Sequence, residues 1–160
     1  MPRNIRLLFL LLAALSARSA AAYSVLTHQA QVDSCWRQVL VPALRARFPN
    51  ATADEWKDAK AYAYGGAIIQ DMGYYPFGSH LFTNLTHYVR SGDFVRNLLL
   101  EARDRNEYAF ALGALAHYSA DILGHREGIN KVVPAMFPEL RAKFGPAVTY
   151  EDAPSRHKQV

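Results

Sequence analysis

His117, Asp121 and His125 recur at every fourth position in the run His117-Tyr-Ser-Ala-Asp-Ile-Leu-Gly-His125. On a helix, residues i and i+4 share a face, so His117 and Asp121 converge on one point. A third side chain at i+8 lies roughly 80° further round the axis, at about 100° per residue, and stays within reach. The preceding segment, Glu107 to Ala116, is apolar on nearly every side, which predicts a buried helix. Buried imidazole and carboxylate groups need partners, since an unpaired polar group costs about 2–7 kcal/mol. A metal ion is the simplest partner common to two histidines and an aspartate. A hydrogen-bonded polar cluster in a helical core is the alternative that this run leaves open.

Other residues could join such a centre. Asp71 follows the apolar segment Ala61 to Ile69, near a helix C-terminus whose partial negative charge disfavours an anion. Asp71 is either solvated in a loop or compensated by a cation, and it is the best candidate for a general base or metal-linked carboxylate. His87 sits in the mixed apolar segment Asn84 to Arg90, where a satisfied core histidine is the alternative. His80, in the Gly78-Ser-His loop, reads as a surface residue or one that supports a ligand from behind, and His157, in the polar tail, reads as exposed. His28 lies five residues after Tyr23. A free α-amino group on Tyr23, with a pKa near about 7.7–8, could chelate a metal together with that histidine.

Tyr23 gains such an amine only if the leader is removed, and the N-terminus reads as one. Arg3 and Arg6 precede the apolar stretch Leu7 to Leu15, and Ala20-Ala21-Ala22 offers a cleavage site. The apolar run is too short to span a bilayer. Export to the periplasm or medium, with cleavage after residue 22, is the expectation. Loss of Arg3, Arg6 and Arg18 lowers the formal charge from +4 to +1. No Lys/Arg run remains that would mark a polyanion groove. Cys35 is the only cysteine, so no internal disulfide is available, and beside Trp36 it reads as buried and inert.

The elements that must position these groups are helices. Val25 to Phe48 reads as one helix ending at Pro49. Thr52-Ala-Asp-Glu55 is a capping box that opens a second, running to about Gln70. Met72 to Ser79 is a loop, followed by helices over Leu81 to Val89 and Gly92 to Ala102. Glu107 to Leu123 is the central helix, which Gly124 ends or loosens. Pro134, Pro138 and Pro146 break up the remainder, leaving one helical piece around Met136 to Phe144. No stretch alternates with period two long enough for a sheet, so the class is all-α in a single domain. Tyr62, Tyr64, Tyr74, Tyr75, Phe77 and Phe82 flank Asp71. They could form an apolar rim for a lipid or stack on an unpaired base; alternatively, the tyrosines of the second helix belong to the core.

In this order the residues resemble the superfamily of zinc-dependent phospholipase C enzymes and single-strand-specific nucleases, especially its secreted bacterial phospholipase C branch. The resemblance runs from Tyr23 to the end of the chain. It matches Tyr23 and His28 to a mature N-terminal aromatic residue and a nearby histidine, with Tyr where better-known members carry Trp. It matches Asp71 and His87 to an aspartate and a following histidine, and His117 and Asp121 to a His-x3-Asp pair whose carboxylate bridges metals. The chain departs from the family at two points. His125 follows Asp121 by four residues rather than six, and the acid expected four residues after His157 falls one place beyond Val160.

The resemblance implies a multi-helix bundle over residues 23–160, truncated at its C-terminus or incomplete at its outermost site, with two or three zinc ions. His87, His117 and Asp121 would hold one ion; Tyr23, His28 and Asp121 a second; His125 and His157 a third. Asp71 would orient or deprotonate the attacking water. The implied activity is hydrolysis of phospholipids, and the weak mature charge favours that substrate over nucleic acid. A single-strand nuclease and a catalytically inactive metal-binding module are the alternatives. No stable protein partner and no transmembrane segment are implied.

Overall fold

A computed structural model describes residues 22–157, 159 and 160, with the side chains of 22–24 outside the description. Residues 1–21, on which the expected leader falls, lie outside the described residues. The described chain is all-α, with no β-strand among the described residues. Helix α1 (Ala22–Cys35) continues through a π-helical turn (Trp36–Leu40) into α2 (Val41–Arg47). Then come α3 (Ala53–Ile68), a 3-10 turn (Ile69–Tyr74), α4 (His80–Tyr88), α5 (Ser91–Glu101) and the long α6 (Arg105–Gly124). A second π-helical turn (His125–Ile129) leads into α7 (Asn130–Met136), α8 (Pro138–Phe144) and the short α9 (Pro154–His157).

The capping box forms as read. The Glu55 N–H donates to Thr52 Oγ1 at 3.3 Å, and the Thr52 N–H donates to Glu55 Oε2 at 2.7 Å. It starts α3 at the register that sets its alanines against α6, and these two helices share the largest interface in the chain. Ala59, Ala63, Ala67, Ala109 and Ala114 are fully buried. A Cβ on Gly66 would lie 1.9 Å from the Phe110 carbonyl oxygen, and one on Gly113 would lie 2.0 Å from that of Ala63. Only hydrogen fits at either position, so the two backbones touch. Val32, Leu40, Leu44 and Leu112 complete this core. A smaller cluster of Val133, Val148 and Ala153 secures the C-terminal segment.

The structure departs from the sequence reading in three places. The expected single helix from Val25 to Phe48 is interrupted by the first π turn. Pro42 has no N–H to bond back, and the Val41 N–H bonds instead to Trp36 O, five residues earlier. Gly124 loosens the central helix as read, which passes into the π turn at His125, but Pro134 lies inside α7 instead of breaking the chain. The carbonyl that Pro134 leaves unserved, Asn130 O, accepts the Val148 N–H at 2.8 Å, so the proline recruits the following segment. Finally, Tyr62 of the second helix is exposed while Tyr64 packs on the core. Cys35 is half-buried, its thiol donating to Val32 O at 3.6 Å, and burial pushes the thiol pKa up. That agrees with an unreactive cysteine.

Candidate metal centre

Five of the predicted residues meet at one end of the α3–α6 pair. His28 comes from α1, Asp71 from the 3-10 turn after α3, His87 from α4, and His117 and Asp121 from α6. His87 Nε2 lies 3.3 Å from His117 Nε2, 3.3 Å from Asp71 Oδ1 and 3.4 Å from Asp121 Oδ2. His117 Nε2 is 3.3 Å from that same Asp121 oxygen. His28 Nε2 faces the other oxygen of each carboxylate, Asp121 Oδ1 at 3.6 Å and Asp71 Oδ2 at 3.9 Å. His28, Asp71 and His117 are buried.

The hydrogen bonds behind these groups decide what they can do. His117 Nδ1 is 2.8 Å from Ala67 O and His87 Nδ1 is 2.8 Å from Thr83 O. A carbonyl only accepts, so both rings donate from Nδ1, and the neutral imidazoles turn their Nε2 lone pairs towards each other. Two lone pairs and two carboxylates pointing at one spot repel unless a cation or proton sits among them. The spacing fits a cation: donors about 2.0–2.1 Å from a tetrahedral zinc lie about 3.3–3.4 Å apart. His28 Nδ1 is a further buried polar atom without a hydrogen-bond partner. The residues therefore fit a zinc ion in number, type and separation.

The electrostatics carry the same message. Burial pushes the Asp121 carboxyl up, but hydrogen bonds from His117 and His87 outweigh it and hold the group well below the usual carboxylate range. Burial lowers His87, yet its bonds to Asp121 and Asp71 and to the Thr83 carbonyl push it up to about 10. His28 is lowered, first by burial and then by His117, with Asp121 and Asp71 opposing. The cluster thus holds a proton tightly at the point where a metal would compete for it.

The remaining candidates fall in two groups. His125 and His157 pair beside the centre, their rings stacked 5.7 Å apart, and neither belongs to the five-residue cluster. His157 is buried, contrary to the reading of an exposed tail residue, with Nε2 2.9 Å from Val148 O. That carbonyl is placed by the bond that Pro134 makes possible. Tyr23 lies in the first turn of α1, with its side chain outside the described residues. His80 is exposed, with its ring edge-on to that of Tyr74, as expected of a surface residue.

Sequence reasoning missed the supporting shell. Thr83 Oγ1 accepts the Gly73 N–H at 2.7 Å and donates to Gln70 O at 2.8 Å, tying α4 to the turn that carries Asp71. Thr83 precedes His87 by four, so its carbonyl could have been anticipated from helix periodicity, whereas Ala67 O is visible only once α3 meets α6. The Tyr74 ring lies 6.1 Å and the Tyr88 ring 5.9 Å from that of His87.

The fold and the cluster define an all-α scaffold with a candidate metal centre at one end of its central helix pair. The profile of a family described as zinc dependent phospholipase C matches residues 27–160. The chain belongs to that family of zinc-dependent hydrolases. No curated protein and no solved structure gives a match. Among the described residues, no helix is long and apolar enough to cross a membrane.

Proposed function

We propose that this protein is an exported zinc hydrolase of the phospholipase C type, cleaving the phosphodiester of a phospholipid. The observation that carries the proposal is the set of 3.3–3.4 Å separations joining His87 Nε2 to His117 Nε2, Asp71 Oδ1 and Asp121 Oδ2. In this reading His87, His117 and Asp121 would hold one ion, leaving a fourth position for water. His28, the outer oxygen of Asp121, and the amine and carbonyl of a processed Tyr23 would hold a second. His125 and His157 would contribute to a third. Asp71, with Oδ1 3.3 Å from His87 Nε2, stays free as the base.

Zinc bound there supplies Lewis acidity, bringing a water pKa down to about 7 and drawing charge from phosphoryl oxygens. The chain's own groups do the rest. The Ala67 and Thr83 carbonyls fix the His117 and His87 tautomers and so keep both Nε2 lone pairs on the reacting side. Asp71 orients the attacking water and accepts its proton.

The formal charge of +1 after removal of the leader, and the absence of a Lys/Arg run, support a phospholipid over a nucleic acid. The test is hydrolysis of phosphatidylcholine set beside denatured DNA, using protein that starts at Tyr23. Lipid turnover abolished by a chelator and restored by zinc is the expected result. Zinc-dependent turnover of DNA alone would move the assignment to a nuclease. Turnover of neither, with zinc bound, would leave a metal-binding module.

A further inference from the structure

Helix α4 is turned inside out. Its fully or nearly buried residues are Thr83 and Thr86, whereas Leu81, Leu85 and Tyr88, spaced for a single helical face, are 68%, 45% and 59% exposed. The threonines face inward because their hydroxyls serve buried backbone groups, Thr83 on Gly73 and Gln70, Thr86 on Phe82 and Thr83. The leucines are thereby committed outward. The turn before α4 adds Phe77, whose side chain is as exposed as that residue can be. Its backbone is in the left-handed region at φ 66°, which a bulky side chain rarely adopts. From Met72 to Val89 there is no Asp, Glu, Lys or Arg.

We infer that Phe77 and the outer face of α4 dock this protein on a lipid bilayer, bringing the His87 side of the metal centre to the membrane interface. The inference rests on the phospholipid reading above and specifies how the substrate is met: in an aggregate, not as single molecules. An uncharged patch of Phe, Leu and Tyr suits the boundary between headgroups and acyl chains, where aromatic rings and apolar side chains partition together. Lacking cationic groups, the patch selects a zwitterionic surface as readily as an anionic one. A second copy of the chain is a poorer occupant. Tyr74 and Tyr88 link this face to His87, with ring separations of 6.1 and 5.9 Å, so a protein covering the face would also cover the His87 side of the centre.

The test is sedimentation of the mature protein with phosphatidylcholine vesicles, in chelator to prevent turnover, at low and high salt. The expected result is partitioning that is insensitive to salt and that falls about tenfold or more in Phe77→Asn. Leu81→Ser with Leu85→Ser should reduce it further. Asn tolerates the left-handed backbone, so Phe77→Asn should keep the wild-type melting temperature and zinc content, and should hydrolyse a monomeric short-chain lipid normally. Absent partitioning, or partitioning that these substitutions leave unchanged, would overturn the inference. So would self-association that they abolish without any vesicle binding. Vesicle binding without hydrolysis by the zinc-loaded protein would instead sink the phospholipase reading and leave the docking face standing.

Discussion

The two halves of α6 use the same helix in opposite ways. From Arg105 to Leu115 its inner face is alanine and glycine, and it gains stability from direct backbone contact with α3. From His117 onward the same face presents an imidazole and a carboxylate, held at separations that repel unless a cation or a proton sits among them. The first half makes the second possible, because only a helix pair this close brings Ala67 O within 2.8 Å of His117 Nδ1. A stabilising interface placed one helical turn from a strained polar cluster lets the fold hold groups that would otherwise separate or bind water.

Substituting each half should have a different signature. Asp121→Asn, in the polar half, should have the largest effect on function. Zinc content should drop and kcat/KM fall at least about a hundredfold, as expected when groups stabilising transition-state charge are removed. Gly113→Ala, in the packed half, should destabilise the protein by about 1–3 kcal/mol with or without zinc. By pushing α3 away from His117 it should also weaken zinc binding about 10–100-fold, the range seen when a ligand loses its supporting hydrogen bond. Calorimetry and zinc titration of the two variants separate the halves.

The pH dependence of the metal-free protein sharpens the contrast. His87 is raised from 6.5 to about 10, so its contribution is full below 6.5 and drains as pH rises through about 10. Asp121, held below its ordinary 3.8, contributes above that value and is lost only as acid carries pH through its lowered folded pKa. Chelator-treated protein should therefore be most stable between these ordinary values and lose stability on the alkaline side, while zinc affinity rises as the competing proton leaves. Thermal melts from pH 5 to 10, with and without zinc, check both slopes. The smallest effect is expected from Pro134→Ala. The new N–H would compete with Val148 for Asn130 O and loosen His157, shifting stability by about 1 kcal/mol or less and leaving the main centre's zinc in place.

Much of this was legible in the sequence, for physical reasons. The His117/Asp121 pair, the Thr52–Glu55 cap and the apolar run of α6 are local patterns, and local patterns survive folding. His87 and Asp71 were found through their order along the chain, but the joining of Asp71 to His87 at 3.3 Å depends on Thr83 crossing to Gln70 and Gly73. No periodicity encodes that contact between two segments. The exposed leucines of α4 were hidden because hydropathy places leucine inside and threonine outside by default. Pro134 misled for a related reason. Its cost is real in isolation, and a hydrogen bond from Val148, distant in sequence, offsets it.

The most direct measurement is the anomalous scattering of crystals of the mature protein at the zinc edge. The account predicts a peak within about 2.0–2.2 Å of His87 Nε2, His117 Nε2 and the Asp121 oxygen that faces them. Zinc at full occupancy elsewhere in the molecule, with those two nitrogens still 3.3 Å apart and no peak between them, would contradict it.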